Sequence, residues 1–230
     1  MRLFTCIYLS DDAIDHLELA ISGLGDLNTQ EPVTFTPQHS GGHRRRGSES
    51  RHSGDQRLRW VPREQRHLTL SFHGEVPEGA VPDYVDFLNA AAVEVEPFEV
   101  SLSGGGSFSG RTLFTGVADG LDEVRALAVI TEDAAAQAGF RPDQRAGGRP
   151  HLTLARAGAR RGGFPLDAWA HALALYRGPL FSVDMIHVVH SELGKGRAGG
   201  PLHHTVAAIP LGRYNPTTVI MRDNTSTANA

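Results

Sequence analysis

The chain has 230 residues, a formal net charge of −4 and 40% hydrophobic residues, enough for one domain or two small lobes around a core. The negative balance excludes a protein that coats nucleic acid through its overall field, so any RNA contact must be local. The single cysteine, Cys6, excludes an internal disulfide framework and a multi-cysteine zinc site, and no apolar run is long enough to span a membrane.

Residues 2–9 read as a first strand and not as a signal peptide, because the apolar run after Arg2 stops at Ser10-Asp11-Asp12. Cys6 reads as a buried thiol within it. Residues 11–24 carry Ile14, Leu17 and Ile21 at helical spacing, with Asp11 as the predicted cap. Residues 29–58 are polar, rich in Gly, Ser, His and Arg, and without periodicity. They are expected to form a mobile insertion loop, whose cluster His43-Arg44-Arg45-Arg46 is either solvated or an RNA contact. A strand is predicted at 66–73 and a helix at 80–92. Phe98–Leu102 and Thr112–Val117 alternate and are expected to pair around a Gly-rich turn. Residues 120–138 give the clearest helix, with Leu121, Val124, Leu127, Ala128, Ala134 and Ala138 on one side and Gly139 at its end. A strand at 151–156, a helix near 166–175 and two strands at 180–190 and 202–211 close the pattern. Residues 212–230 read as a tail, in which Val219-Ile220-Met221 could add an edge strand or bind a neighbour. The order is α+β with two comparable halves.

The strands at 66–73 and 151–156 carry the same tetrapeptide, His67-Leu68-Thr69-Leu70 and His151-Leu152-Thr153-Leu154. Strand side chains alternate between faces, so each copy puts an imidazole and a hydroxyl on one face and two leucines on the other. A lone His-x-Thr is more often the wet face of a strand. Here both copies follow a turn-like approach, Val61-Pro62-Arg63 and Ala146-Gly147-Gly148-Arg149-Pro150, and both end at a break, Gly74-Glu75-Val76-Pro77 and Gly162-Gly163-Phe164-Pro165. Two such pairs across a groove could hold a phosphate with a proton carrier on either side. His67 and His151 are the candidate acid and base, since imidazole titrates near neutrality. Thr69 and Thr153 are the candidate donors to the non-bridging phosphate oxygens. The sequence leaves open which histidine is acid and which is base.

With these motifs the chain resembles the two-histidine (2H) phosphoesterases, in particular the bacterial RNA 2′,3′-cyclic phosphodiesterases, long called 2′-5′ RNA ligases. The resemblance extends to the opening strand Arg2–Leu9, to Trp60-Val61-Pro62 and to Phe72-His73-Gly74. It continues through Phe108, Pro150–Arg156, Ser191, Gly200-Pro201-Leu202-His203 and Ile209-Pro210-Leu211. Three positions depart from it: His203 stands where the family often has Tyr, Ser71 where it often has Lys, and Arg149 where it often has an aromatic.

The resemblance implies one bilobed, pseudo-symmetric domain over residues 1–211, with two antiparallel sheets facing a central cleft and helices outside. It implies hydrolysis of RNA 2′,3′-cyclic phosphate ends to 2′-phosphate ends, with the ribose 3′ oxygen as leaving group, no metal and no cofactor. Reverse 2′-5′ ligation is a side activity it allows. Arg156, His203 and Phe72 are the further substrate-contact candidates. His73 is expected on the face of His67 and Thr69, further along the strand, and His187 and His190 on opposite faces of theirs. The expected partner is an RNA or oligonucleotide end, met by a monomer in the cytoplasm, with no membrane involved. Two other classes stay in play. One is a metal-dependent phosphohydrolase using some of the 12 histidines, although no carboxylate lies within either motif. The other is a non-catalytic RNA- or nucleotide-binding module.

Overall fold

The opening apolar run folds as strand β1 (Arg2–Tyr8) in a computed structural model that describes residues 1–27, 58–141, 149–157, 166–196 and 200–212. The predicted loop at 29–58, with Arg44, Arg45 and Arg46, lies outside the described residues except for Leu58. So do residues 213–230 of the tail, with Val219-Ile220-Met221. Helix α1 (Asp11–Leu27) begins at Ser10, whose hydroxyl accepts the Ala13 N–H at 3.3 Å. Asp11, the predicted cap, stands inside the first turn instead, where a carboxylate meets the positive end of the helix dipole.

The remaining elements are β2 (Leu58–Trp60), β3 (His67–Glu75), α2 (Val81–Ala92), β4 (Phe98–Val100), β5 (Leu102–Phe108) and β6 (Thr112–Val117), then α3 (Leu121–Gln137), β7 (His151–Ala157), α4 (Leu166–Ala172), β8 (Phe181–Val183), β9 (Met185–Glu192) and β10 (Leu202–Pro210). The main sheet runs β10-β9-β1-β3-β7-β6-β5, with β2 also pairing β7, and every pairing is antiparallel. Strands β10, β9, β1 and β3 form one half, and β7, β6, β5 and β2 the other. The halves join through one bridge between β3 and β7, Leu68 to Leu152. One face of the sheet carries the main core, where Leu3, Ile7, Leu68, Leu70, Leu152 and Leu154 are buried with helix residues such as Leu17, Leu88 and Leu127. The other face carries a small cluster of Phe4, Cys6 and Val189, flanked by Tyr8 and Phe72.

Two expectations fail for physical reasons. The Gly-rich run is not the turn but strand β5 itself, paired with β6, while Phe98–Val100 pairs with β8 in a separate two-stranded sheet. A Cβ at Gly105 would stand 2.5 Å from Leu173 Cβ and 2.6 Å from the Ala170 carbonyl, so glycine lets α4 lie directly on the strand. The turn is Ser109-Gly110, both at positive φ, as a primed hairpin turn requires. The predicted strand at 180–190 is likewise two strands, β8 and β9, which belong to different sheets.

The third difference decides what reaches the cleft. The β1–β3 register pairs Thr5 with Ser71 and Cys6 with Thr69, leaving Leu70 over as a bulge. The β6–β7 register pairs Leu113 with Ala155 and Phe114 with Thr153, leaving Leu154 over. The same leucine of each tetrapeptide is the extra residue. Leu70 and Ser71 are therefore both buried, as are Leu154 and Ala155, and the side-chain alternation resumes one residue late. Phe72 and Arg156 come to the histidine face. His73, expected there, turns into the core: its Nε2 lies 3.0 Å from Ser71 Oγ and 3.0 Å from the Tyr84 hydroxyl, with its ring edge-on to Phe140.

Burial pushes the His73 imidazole from its ordinary value of 6.5 down to about 4. The unfolded chain takes up this proton first, so the stability due to a neutral His73 is complete above pH 6.5 and is lost as pH falls from there toward 4. Between these limits the wild type is expected to lose about 3 kcal/mol more than a His73→Gln variant. Urea denaturation of both proteins at a series of pH values checks this, and parallel curves would refute it.

Candidate active site

The Leu68–Leu152 bridge sets the site. Because β3 and β7 run antiparallel, the positions flanking the bridge face each other, His67 across from Thr153 and Thr69 across from His151. The two imidazoles occupy diagonal corners, about 7–8 Å apart at the backbone, which leaves room for one phosphate between side chains. All four side chains are partly exposed on one face of the sheet, while Leu68 and Leu152 are fully buried on the other. The structure thus brings His67, Thr69, His151 and Thr153 together.

Both histidines are held in the same way. His67 Nδ1 donates to the Gln65 carbonyl at 2.7 Å, and His151 Nδ1 to the Arg149 carbonyl at 2.9 Å. A carbonyl oxygen only accepts, so Nδ1 carries the proton in each neutral ring and Nε2 keeps a free lone pair. On the His67 side an ion-pair clamp steadies that carbonyl. Arg63, in the short 3₁₀ turn Arg63–Gln65, reaches Asp11, Asp15 and Glu18 of α1, and the buried Arg66 binds Glu18 at 2.9 Å.

Aromatic rings wall both sites. Phe4 stacks on His67 at 4.8 Å between centroids, and Tyr8 meets it edge-on at 6.3 Å. Phe108 and Phe114 stack on each other at 4.2 Å and both meet His151 edge-on, at 4.8 and 5.4 Å. Their low polarity disfavours the charged imidazolium. Burial is the main cause that lowers His67 to about 4; the Gln65 carbonyl opposes it, and the charges of His203, Arg156 and His151 add to it. His151 is also lowered, by burial first and then by Arg156.

Of the remaining candidates, Arg156 is exposed on the histidine face and its charge acts on both rings. His203, on β10, lies 5.7 Å from His67 and 5.0 Å from Phe4, and burial lowers it too. With Tyr8, Glu64, Gln65, Gly196, Leu202 and Thr205 it lines an open cavity of about 560 Å³ beside His67. Phe72 shares the histidine face, but its ring lies under the Arg2 guanidinium at 4.6 Å and packs with the Phe4 cluster. His187 faces Tyr8 at 4.8 Å, whereas His190 lies by His204 on the opposite face, as the strand alternation requires. Sequence reasoning missed Phe4, Tyr8 and Phe114 as ring partners. The alternation of Phe4 and Tyr8 about Cys6 was the available signal, but the carbonyls of Gln65 and Arg149 left none. Among the described residues no three His, Cys, Asp or Glu side chains are grouped so as to hold a metal ion, and no helix is long and apolar enough to cross a membrane.

Residues 43–118 match the family model of LigT-like phosphoesterases. A relative from Thermus thermophilus, named RNA 2′,3′-cyclic phosphodiesterase, is 32% identical over 168 residues, which cover 61% of this chain and 80% of the relative. The chain belongs to the LigT-like phosphoesterase family. A relative of the same name from Geobacillus stearothermophilus is 32% identical over 155 residues, 66% of this chain; the match spans about half of that longer protein, 47%. The fold agrees. A solved structure from Thermus thermophilus superposes with a TM-score of 0.61 at 24% identity, covering 93% of this chain and all of the other. The bilobed antiparallel arrangement is the fold of LigT-like phosphoesterases.

This LigT-like site makes a spectroscopic prediction. Above the ordinary imidazole value of 6.5, where both rings are neutral, nitrogen-15 NMR should find Nδ1 protonated and Nε2 bare in His67 and His151 alike. A proton on Nε2 in either ring would contradict the carbonyl anchoring.

Proposed function

We propose that this chain hydrolyses RNA 2′,3′-cyclic phosphate ends to 2′-phosphate ends by general acid–base catalysis from two histidines. The observation that carries the reading is the pair of carbonyl-anchored imidazoles with free Nε2 atoms, diagonal across one bridge and each beside a threonine. The names of the Thermus and Geobacillus relatives support the substrate class. The cyclic phosphate sits among the four side chains, with the Thr69 and Thr153 hydroxyls donating to its non-bridging oxygens. Water attacks phosphorus and gives its proton to one Nε2. The bond from phosphorus to the 3′ oxygen breaks, and that oxygen takes a proton from the other Nε2. His67, stacked on Phe4 and flanked by Tyr8 and His203, is assigned as the base and His151 as the acid. The bound phosphate anion raises both imidazoles and keeps His151 charged. Both halves of the site come from one chain, which supports a monomer as the working form, and the reading takes the cytoplasm as its setting.

The pH dependence follows in sign. Activity needs His67 neutral, so kcat/KM falls as pH drops through about 4. It needs His151 protonated, so kcat/KM falls again as pH rises through a value below the ordinary 6.5. The kcat/KM optimum for a 2′,3′-cyclic phosphate is therefore expected on the acid side of 6.5, with that for kcat displaced upward. His67→Ala and His151→Ala should each cost at least about 100-fold, and Thr69→Ala and Thr153→Ala less. Turnover that survives loss of either histidine would refute the two-histidine mechanism.

A further inference from the structure

Past the His–Thr quartet the cleft face carries a second cationic feature. Strand β2 pairs with β7 so that Arg59 stands directly across from Arg156, and β6 places Thr112 on the other side of Arg156. Directly opposed residues of an antiparallel pair share a face with Cβ atoms about 5 Å apart, and like charges so placed repel. Both arginines are exposed, and neither has a carboxylate partner among the described residues. Two adjacent unneutralised guanidinium groups on the wall of a cleft suit a bridging anion, and their forked donors match phosphate oxygens.

The bulge at Leu154 fixes which anion. It turns Arg156 to the face of His151 and Thr153, so the arginine pair continues the line of the quartet along β7. The displacement from Thr153 is about two residues of strand rise, roughly 7 Å. That is comparable to the separation between a 2′,3′-cyclic phosphate and a phosphate on the 5′ oxygen of the same nucleotide. We infer that Arg59 and Arg156 form a second phosphate subsite, which binds the phosphate on the 5′ oxygen of the nucleotide bearing the cyclic end. The inference rests on the cyclic-phosphate reading above. The subsite makes the protein select 5′-phosphorylated or chain-linked ends over free nucleoside cyclic phosphates.

The test compares wild type, Arg59→Gln and Arg59→Lys on three substrates: adenosine 2′,3′-cyclic phosphate, the same nucleotide with a 5′-phosphate, and the dinucleotide ApA with a 2′,3′-cyclic end. Wild type should prefer the two substrates carrying the extra phosphate by about tenfold in kcat/KM. Arg59→Gln should remove most of that preference through KM, and should flatten the salt dependence on the dinucleotide because one phosphate contact is lost. Arg59→Lys should restore part of it. Equal treatment of the three substrates by wild type, or an equal loss on all three in Arg59→Gln, overturns the subsite. A dinucleotide preference that survives Arg59→Gln also overturns it, since the second nucleoside and not its phosphate is then being read. If wild type cleaves none of the three, the cyclic-phosphate reading fails on its own. The subsite is then decided by titration with adenosine 3′,5′-bisphosphate, where equal affinity in wild type and Arg59→Gln refutes it.

Discussion

The bridge between Leu68 and Leu152 is the constraint on which the rest of this structure depends. It is where the two halves of the sheet are joined, and both leucines are fully buried beneath it. Burying a leucine contributes about 1.5–3 kcal/mol, so the join is held from below by core packing. The antiparallel sense of the bridge creates a local two-fold relation between the tetrapeptides. Each histidine then lies beside the other strand's threonine, and four side chains from distant parts of the chain share one face of the sheet.

How much of this was legible in the sequence depends on distance along the chain. The tetrapeptides declared themselves, because alternation over four residues is a local rule, and the helix at Leu121–Gln137 with Gly139 after it followed from spacing alone. The bulges did not, since an extra residue is defined only against a partner strand. They turn His73, expected on the histidine face, into the core, and they bring Phe72 and Arg156 to that face. The Gly-rich strand reads as a turn for the same kind of reason, because Gly105 answers to α4, a helix that packs on it from far along the sequence, and Gly106 to the Phe114 ring of the paired strand. Ser10 lost the cap to Asp11 on paper because both residues can cap and only geometry selects one.

The two halves of the site are alike in backbone and unlike in surroundings. His67 stacks on Phe4 and takes its anchoring carbonyl from a turn clamped to α1 by Arg63 and Arg66. His151 rests against the Phe108–Phe114 stack and opens toward the arginines of β2 and β7. The first half is the more rigidly held, by ion pairs to α1, which suits the base of the proposed reaction. The second carries the exposed Arg59 and Arg156, which suits the phosphate subsite inferred above.

The identical anchoring of the two imidazoles has a kinetic consequence. In the proposed reaction each turnover moves one proton onto His67 and takes one from His151, so the free protein emerges in a different form from the one that began. A proton must pass back through solvent or buffer before the forward reaction can start again. Until it does, the protein is set up for the reverse reaction, with the acid now at His67 and the base at His151. Such an iso mechanism makes buffer concentration and solvent isotope report on the recovery of the free protein, a step separate from phosphorus chemistry.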